Sequence, residues 1–166
     1  SVAALEEGVP WNWESYAEYL DRLEGRVGVN AGFLVGHNAL RRYVMGPSSV
    51  GSEATPEEVA AMAELLGESI DAGGLGFSTT LSRTHSDGDG QPVASRWATS
   101  EEILALCEVV GQKPATTLEA MTDGFRTHVA RQRRLDRDPV ARHRGLVIGS
   151  GRLVRDADRE GRKIVE

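Results

Sequence analysis

The fold is decided by the stretch TPEEVAAMAELLGESIDAGGLGFST, residues 55–79, which joins a helix to a strand. Its first residues are typical of a helix start: Thr55 can cap the first turn, Pro56 suits the first helical position, and Glu58 completes a capping box. Apolar residues then recur at helical spacing until two glycines close the helix. Because residues 75–79 are a mostly apolar run of strand length, the stretch predicts a helix that leads into a buried strand.

The sequence on either side continues the alternation of helix and strand. Upstream, we predict an irregular entry over residues 5–10. Residues 13–23 show helical spacing, residues 27–35 are an apolar run of strand length, and residues 39–45 suit a short helix. Downstream, a second capping box at residues 99–102 opens a helix that runs to Val110. The order helix, strand, helix, strand, helix predicts an α/β fold with parallel strands. Two strands and their helices are only a fraction of a closed α/β fold.

Length and composition are those of one folded domain. The 166 residues are 40% hydrophobic and 27% charged, as in ordinary globular proteins. No apolar run is long enough to cross a membrane, and the first residues lack the basic and apolar regions of a signal peptide. Cys107 is the single cysteine, which excludes an intrachain disulfide. We therefore predict a cytoplasmic protein with no membrane partner.

Charge divides the chain near Phe125. Residues 1–125 carry 7 Lys and Arg against 19 Asp and Glu, whereas residues 126–166 carry 12 against 6. This reversal separates an α/β segment, residues 1–125, from an arginine-rich tail, residues 126–166, which we predict to be irregular. Residues 116–134 could form one helix and residues 146–148 one strand.

The basic tail raises the question of a nucleic-acid partner. It contains no aromatic side chain on which a base could stack, and this disfavours nucleic-acid binding. Arginine-rich, weakly periodic sequence also arises when a GC-rich gene is read out of frame. That reading is our preferred interpretation of part of the tail.

Polar residues follow both predicted strands directly. His37 comes just after the first strand, and Ser78 and Thr79 end the second. Since the carboxyl ends of parallel strands line the active site in α/β folds, we expect His37 and Ser78 at the same edge of the sheet. Arg41, four residues after His37, can share its helix face and could grip a carboxylate. These four are the candidate substrate-binding residues.

Simpler interpretations remain open for the same residues. His37 could be a capping or packing histidine bonded to loop backbone, and Arg41 a solvated surface arginine. A serine nucleophile is disfavoured because residues 76–80 lack the second glycine of a nucleophile elbow. The long polar loop of residues 82–96 lacks the later ligands of a calcium loop, so we read its Asp-Gly-Asp-Gly segment as a solvated turn. No residue is assigned a catalytic role.

Five motifs in order resemble the N-acyl-D-amino-acid deacylases, the D-aminoacylase-like branch of the amidohydrolase superfamily. They are GVPWNWESY at 8–16, VGHNALR at 35–41, TPEE at 55–58, AGGLGFST at 72–79, and SRT at 82–84 followed by DGQPV at 89–93. The resemblance covers about residues 5–110. It implies that residues 1–125 are part of a TIM-type (β/α) barrel, and that the chain is an internal fragment of a longer enzyme.

The resemblance also implies a function. Members of this family are zinc-dependent hydrolases that cleave the amide bond of small N-acyl-D-amino acids, with metal ligands that include a His-x-His pair. This chain contains no His-x-His, and Cys107 lies in a predicted helix, so no residue here is assigned as a metal ligand. We expect no tight zinc binding and no activity from the chain alone. His37 and Arg41 match the family pattern, which implies pocket shaping or substrate contact.

The sequence leaves one alternative function open, and an incomplete barrel leads to one further expectation. The alternative to an enzyme segment is a truncated, non-catalytic protein or a residual ligand-binding module. In either case the unpaired edges of an open sheet could favour self-association.

Overall fold

Five α-helices and three strands are present in residues 2–121, the part of the chain that this computed structural model describes. In chain order they are α1 (Val2–Gly8), α2 (Tyr16–Leu23), β1 (Val35–Gly36), α3 (His37–Met45), α4 (Pro56–Asp71), β2 (Gly76–Thr80), α5 (Ser100–Gln112) and β3 (Thr117–Met121). Short 3₁₀ helices at Gly46–Ser49 and Ala94–Trp97 interrupt the loops after α3 and β2. None of the helices described is long and apolar enough to span a membrane.

The three strands form one parallel sheet in the order β1-β2-β3. Strands that are consecutive in the chain are neighbours in the sheet, and helices connect them. This confirms the predicted α/β class, and the arrangement is that of a segment of a (β/α) barrel. Within residues 2–121, β1 and β3 each pair with β2 alone. Association through these edges stays a prediction.

The core lies on one face of the sheet. Val35, Phe77 and Leu118 are opposite one another on the three strands, and all three are buried. Met62 of α4 and Leu106 of α5 belong to the same buried cluster. Burial of an apolar side chain of this size stabilises the fold by roughly 1.5–3 kcal/mol. Helices α4 and α5 are therefore held against this face of the sheet.

The other face of the sheet carries small and polar residues. Gly36, Ser78 and Glu119 lie opposite one another on the three strands. Because successive side chains of a strand point to opposite faces, these residues point away from the face that carries Phe77. Ser78 is half-buried and Glu119 is exposed. The two faces therefore differ in chemistry.

The predicted capping box of α4 is confirmed. Thr55 accepts a hydrogen bond from the Glu58 backbone N–H at 3.2 Å, and the Glu58 carboxylate accepts one from the Thr55 N–H at 2.8 Å. At α5 only half of the predicted box forms. Thr99 accepts from the Glu102 N–H at 3.1 Å, but the Glu102 carboxylate is directed into the protein instead of back to Thr99.

Three predicted elements differ from the structure. Residues 27–35 are not one strand, because the strand is limited to Val35–Gly36, preceded only by a hydrogen bond from the Leu75 N–H to the Phe33 carbonyl oxygen at 2.8 Å. Val27 and Val29 are 45% and 74% exposed, without the burial that favours a strand. The irregular entry predicted from residue 5 is instead helical up to Gly8, the end of α1. The predicted helix over residues 116–134 begins instead as β3, because its backbone pairs with β2. The irregular tail and the strand at 146–148 lie outside the described residues.

Candidate functional site

The end of β1 places His37 inside the protein. Helix α3 begins at His37, directly after the strand, and Gly36 before it lies opposite Ser78 on β2. The prediction that His37 and Ser78 lie at the same edge of two parallel strands is confirmed by this register, although Ser78 is the third of the five residues of β2 and not its last. The His37 side chain is buried, and its ring packs against Phe77 with 5.2 Å between ring centroids.

A buried network joins His37 to three other side chains. The carboxylate of Glu102, in the first turn of α5, contacts His37 Nε2 through Oε1 at 2.7 Å and Arg41 Nη1 through Oε2 at 2.5 Å. On the other side of the ring, His37 Nδ1 lies 2.7 Å from the Thr79 hydroxyl. His37, Arg41 and Glu102 are each no more than 1% exposed. The network therefore links α3, α5 and β2 inside the protein.

Arg41 extends the network to the loop after α3. Its Nη2 donates to the Ser52 carbonyl oxygen at 2.6 Å and to the Ser49 carbonyl oxygen at 3.3 Å. The guanidinium group thus connects this loop to the first turn of α5. Its Nε and the Ser49 hydroxyl are buried without a partner in the described structure. The simpler interpretation of Arg41 as a solvated surface arginine is therefore wrong.

The network shifts the acid–base equilibrium of Glu102. Burial alone raises the pKa of a carboxyl group, but hydrogen bonds from His37 and Arg41 and the positive charge of Arg41 outweigh burial here. The pKa of Glu102 consequently lies below its ordinary value. Glu102 is therefore a carboxylate at neutral pH, and it balances the permanent charge of Arg41.

The four candidate substrate-binding residues are divided between two environments. His37, Arg41 and Thr79 belong to the network on the helix side of the sheet, whereas Ser78 lies at the same edge on the opposite, more open face. Contact of these four residues with a substrate stays a prediction. Glu102 was missed as a site residue, because its sequence context is fully accounted for by a capping box.

The two ends of the long loop after β2 are hydrogen-bonded to each other. The Ser95 hydroxyl donates to the Thr80 carbonyl oxygen at 2.6 Å, and the Ser95 N–H donates to the Asn38 side-chain oxygen at 2.7 Å. Between these ends, the Asp87 carboxylate accepts from the backbone N–H groups of Asp89 and Gln91. The predicted turn is therefore present, and Asp87 is engaged in holding it.

The donor groups of the described residues do not fit a metal ion. No cluster of three or more His, Cys, Asp or Glu side chains able to hold a metal occurs in residues 2–121. Both ring nitrogens of His37 are occupied by Glu102 and Thr79. Cys107 is half-buried in α5, and burial raises the pKa of its thiol, which disfavours the thiolate that a metal requires.

Comparison with known proteins gives sequence relatives over part of the chain. No family model matches it. A D-aminoacylase of Alcaligenes xylosoxydans xylosoxydans is 40% identical over 104 residues, which cover 62% of this chain and 19% of the relative. An uncharacterised protein of Mycobacterium tuberculosis is 37% identical over 70 residues, or 40% of this chain and 12% of that protein. A crystal structure of D-aminoacylase, described as defining a novel subset of amidohydrolases, has 31% identity and a TM-score of 0.48 over 59% of this chain and 19% of its own.

The matched residues identify the class of protein. The chain corresponds to a segment of an amidohydrolase. Within that class it is of the D-aminoacylase-like type, as the sequence motifs indicated. It spans about a fifth of the length of the curated D-aminoacylase that it matches.

Proposed function

We propose that the chain is a segment of an enzyme that hydrolyses the amide bond of N-acyl-D-amino acids. The observation that carries this proposal is the 40% identity over 104 residues to a D-aminoacylase. The partner would be a small N-acyl amino acid. Zinc as the metal of the whole enzyme rests on the family resemblance. In such an enzyme the metal would lower the pKa of a bound water and polarise the scissile carbonyl.

Within that enzyme we assign this segment the shaping of the pocket. His37, Arg41 and Thr79 hold the ends of β1 and β2 in place from the helix side, where each is hydrogen-bonded to protein. Ser78 lies half-buried on the opposite face, at the same edge. In a (β/α) barrel the side of the sheet away from the helices is the interior, and its carboxyl end carries the active site. Of the four candidates, we therefore propose Ser78 for direct contact with a substrate.

We also propose that the chain is inactive alone. Amide hydrolysis needs an activated water, an electrophile and a general base in one site. Among residues 2–121, His37 and Glu102 are buried and bonded to each other, and Asp87 is bonded to its own turn. None of these groups is free to activate water.

The purified chain, supplied with zinc, is therefore expected to release no amino acid from N-acetyl-D-methionine or N-acetyl-D-glutamate above the buffer rate. An intact D-aminoacylase under the same conditions is the positive control. Turnover that disappears with a chelator and with His37→Ala would contradict the prediction, and would show that His37 leaves Glu102 to take part in catalysis.

A chimera tests the family function directly. Residues 5–110, placed into the Alcaligenes D-aminoacylase in place of its matching segment, are expected to preserve hydrolysis of N-acyl-D-amino acids within about tenfold, because a natural equivalent should keep reacting groups aligned. A Ser78→Ala version reports on the substrate contact through KM. A folded, metal-loaded chimera without activity would count against the proposed function.

A further inference from the structure

We propose that Glu102 is a positioning residue that fixes His37 in one tautomer and holds the loop after α3 through Arg41. The significance of this for a substrate pocket rests on the proposed function. The positioning of His37 and of the loop does not, because it is defined by contacts within the chain.

The hydrogen bonds of His37 determine which ring nitrogen carries the proton. An ionised carboxylate can only accept hydrogen bonds, so His37 Nε2 must carry a hydrogen where it meets Glu102 at 2.7 Å. Nδ1 can then accept from the Thr79 hydroxyl, also at 2.7 Å. Both ring nitrogens are thereby hydrogen-bonded, one as donor and one as acceptor. With Phe77 against its face, the ring has a defined position as well as a defined tautomer.

Arg41 connects the Glu102 carboxylate to the loop after α3. Glu102 Oε2 accepts from one terminal nitrogen of Arg41, and the other terminal nitrogen donates to the carbonyl oxygens of Ser49 and Ser52. Arginine stays charged in proteins, so the buried guanidinium requires its carboxylate partner. Glu102 therefore controls the orientation of Arg41, and Arg41 the position of residues 49–52.

A second glutamate in the chain provides an internal comparison. Glu58 and Glu102 occupy the same position, three residues after a threonine cap. The Glu58 carboxylate accepts from the backbone N–H of Thr55. The Glu102 carboxylate instead bonds to Arg41 and His37, which lie 61 and 65 positions earlier in the chain. The local sequence allows the cap at both sites. The tertiary partners of Glu102 replace it at α5, so the carboxylate is committed to the network.

The experiment is ¹⁵N NMR of the His37 ring in the full chain, with its resonances assigned from their absence in His37→Gln. The native chain is expected to show the Nε2–H tautomer alone. Glu102→Gln should give a mixed population, since glutamine has one acceptor oxygen where glutamate has two, and its NH₂ group would then face either His37 or Arg41. Amide hydrogen exchange at residues 49–52 should accelerate at least tenfold in the same variant. Glu58→Gln is the matched control, and it should leave both measurements unchanged.

Three results would overturn the proposal. They are an unchanged His37 tautomer in a folded Glu102→Gln variant, an equal disturbance by Glu58→Gln, and exchange at residues 49–52 unaffected by Glu102→Gln. If Glu102→Gln does not fold, Thr79→Val decides. It removes the other partner of the ring, so the Nε2–H tautomer should persist, whereas a switch to Nδ1–H would assign control to Thr79. Because these measurements need no substrate, their failure is distinguishable from an inactive chimera.

Discussion

Glu102→Ala is expected to destabilise the chain by about 3–5 kcal/mol, the range seen when one partner of a buried ion pair is removed. The substitution leaves the Arg41 guanidinium, which is 0% exposed, without its carboxylate, and His37 without an acceptor. A loss of this size is a large part of the stability of an ordinary domain. Urea denaturation followed by circular dichroism measures it.

Two further variants test whether this loss of stability comes from the buried ion pair or from any change at the start of α5. Glu101→Ala changes an exposed glutamate in the same helical turn and should cost less than about 1 kcal/mol. The double variant Arg41→Met and Glu102→Met leaves no buried charge unpaired, so it should recover much of the loss. A cost for Glu102→Ala no larger than that for Glu101→Ala would contradict the burial of the network.

The stabilisation that Glu102 provides should be smaller in acid than at neutral pH. Because the pKa of Glu102 is lowered in the folded chain, its contribution to stability is fully present above the ordinary glutamate pKa of about 4.3. It is lost as pH falls through the lower pKa of the folded chain, since the carboxyl must then be protonated. The difference in unfolding free energy between the native chain and Glu102→Gln should therefore be larger at pH 7 than at pH 3.

Gly76→Ala is expected to cost at least about 3 kcal/mol, because it combines backbone strain with overpacking. Gly76 begins β2 with φ of +132°, a conformation that residues with a Cβ rarely adopt. A Cβ there would overlap the backbone of Thr117, and the parallel pairing of β2 with β3 leaves that backbone nowhere to move without breaking the ladder. Thermal unfolding and the exchange rates of the β3 amides report the effect.

Gly67→Ala is the matched control for this substitution. Gly67 lies inside α4, and a Cβ there would make ordinary contact with Val109 Cγ1 at 3.8 Å. The change should stabilise the helix by about 0.5–1 kcal/mol, since alanine loses less entropy than glycine on folding. If both substitutions had similarly small effects, the close approach of β2 and β3 at Gly76 would be refuted.

The sequence predicts only those residues of the candidate site that lie at the end of a predicted strand. His37 after the first strand and Ser78 at the end of the second were sufficient to predict a common edge, because parallel strands bring their carboxyl ends together. Glu102 could not be found in the same way. Its pattern after Thr99 equals that of Glu58 after Thr55, so the sequence offers no local reason to treat the two differently.

The sequence by itself determined the features that depend on neighbours within a few residues. The threonine caps of α4 and α5 and the glycines after α4 mark helix ends through backbone hydrogen bonds of short range. The alternation of helices and apolar runs determined the α/β class, because it dictates which segments must be buried together.

Only the tertiary structure decided features that depend on distant partners. It limited β1 to Val35–Gly36 and made Thr117–Met121 a strand, because a strand exists only where another backbone completes its hydrogen bonds. It placed Thr79 against His37 and Ser78 on the other face, a distinction set by one residue of register. It also turned Glu102 from its own cap to His37 and Arg41, because a buried arginine requires a carboxylate that water cannot replace.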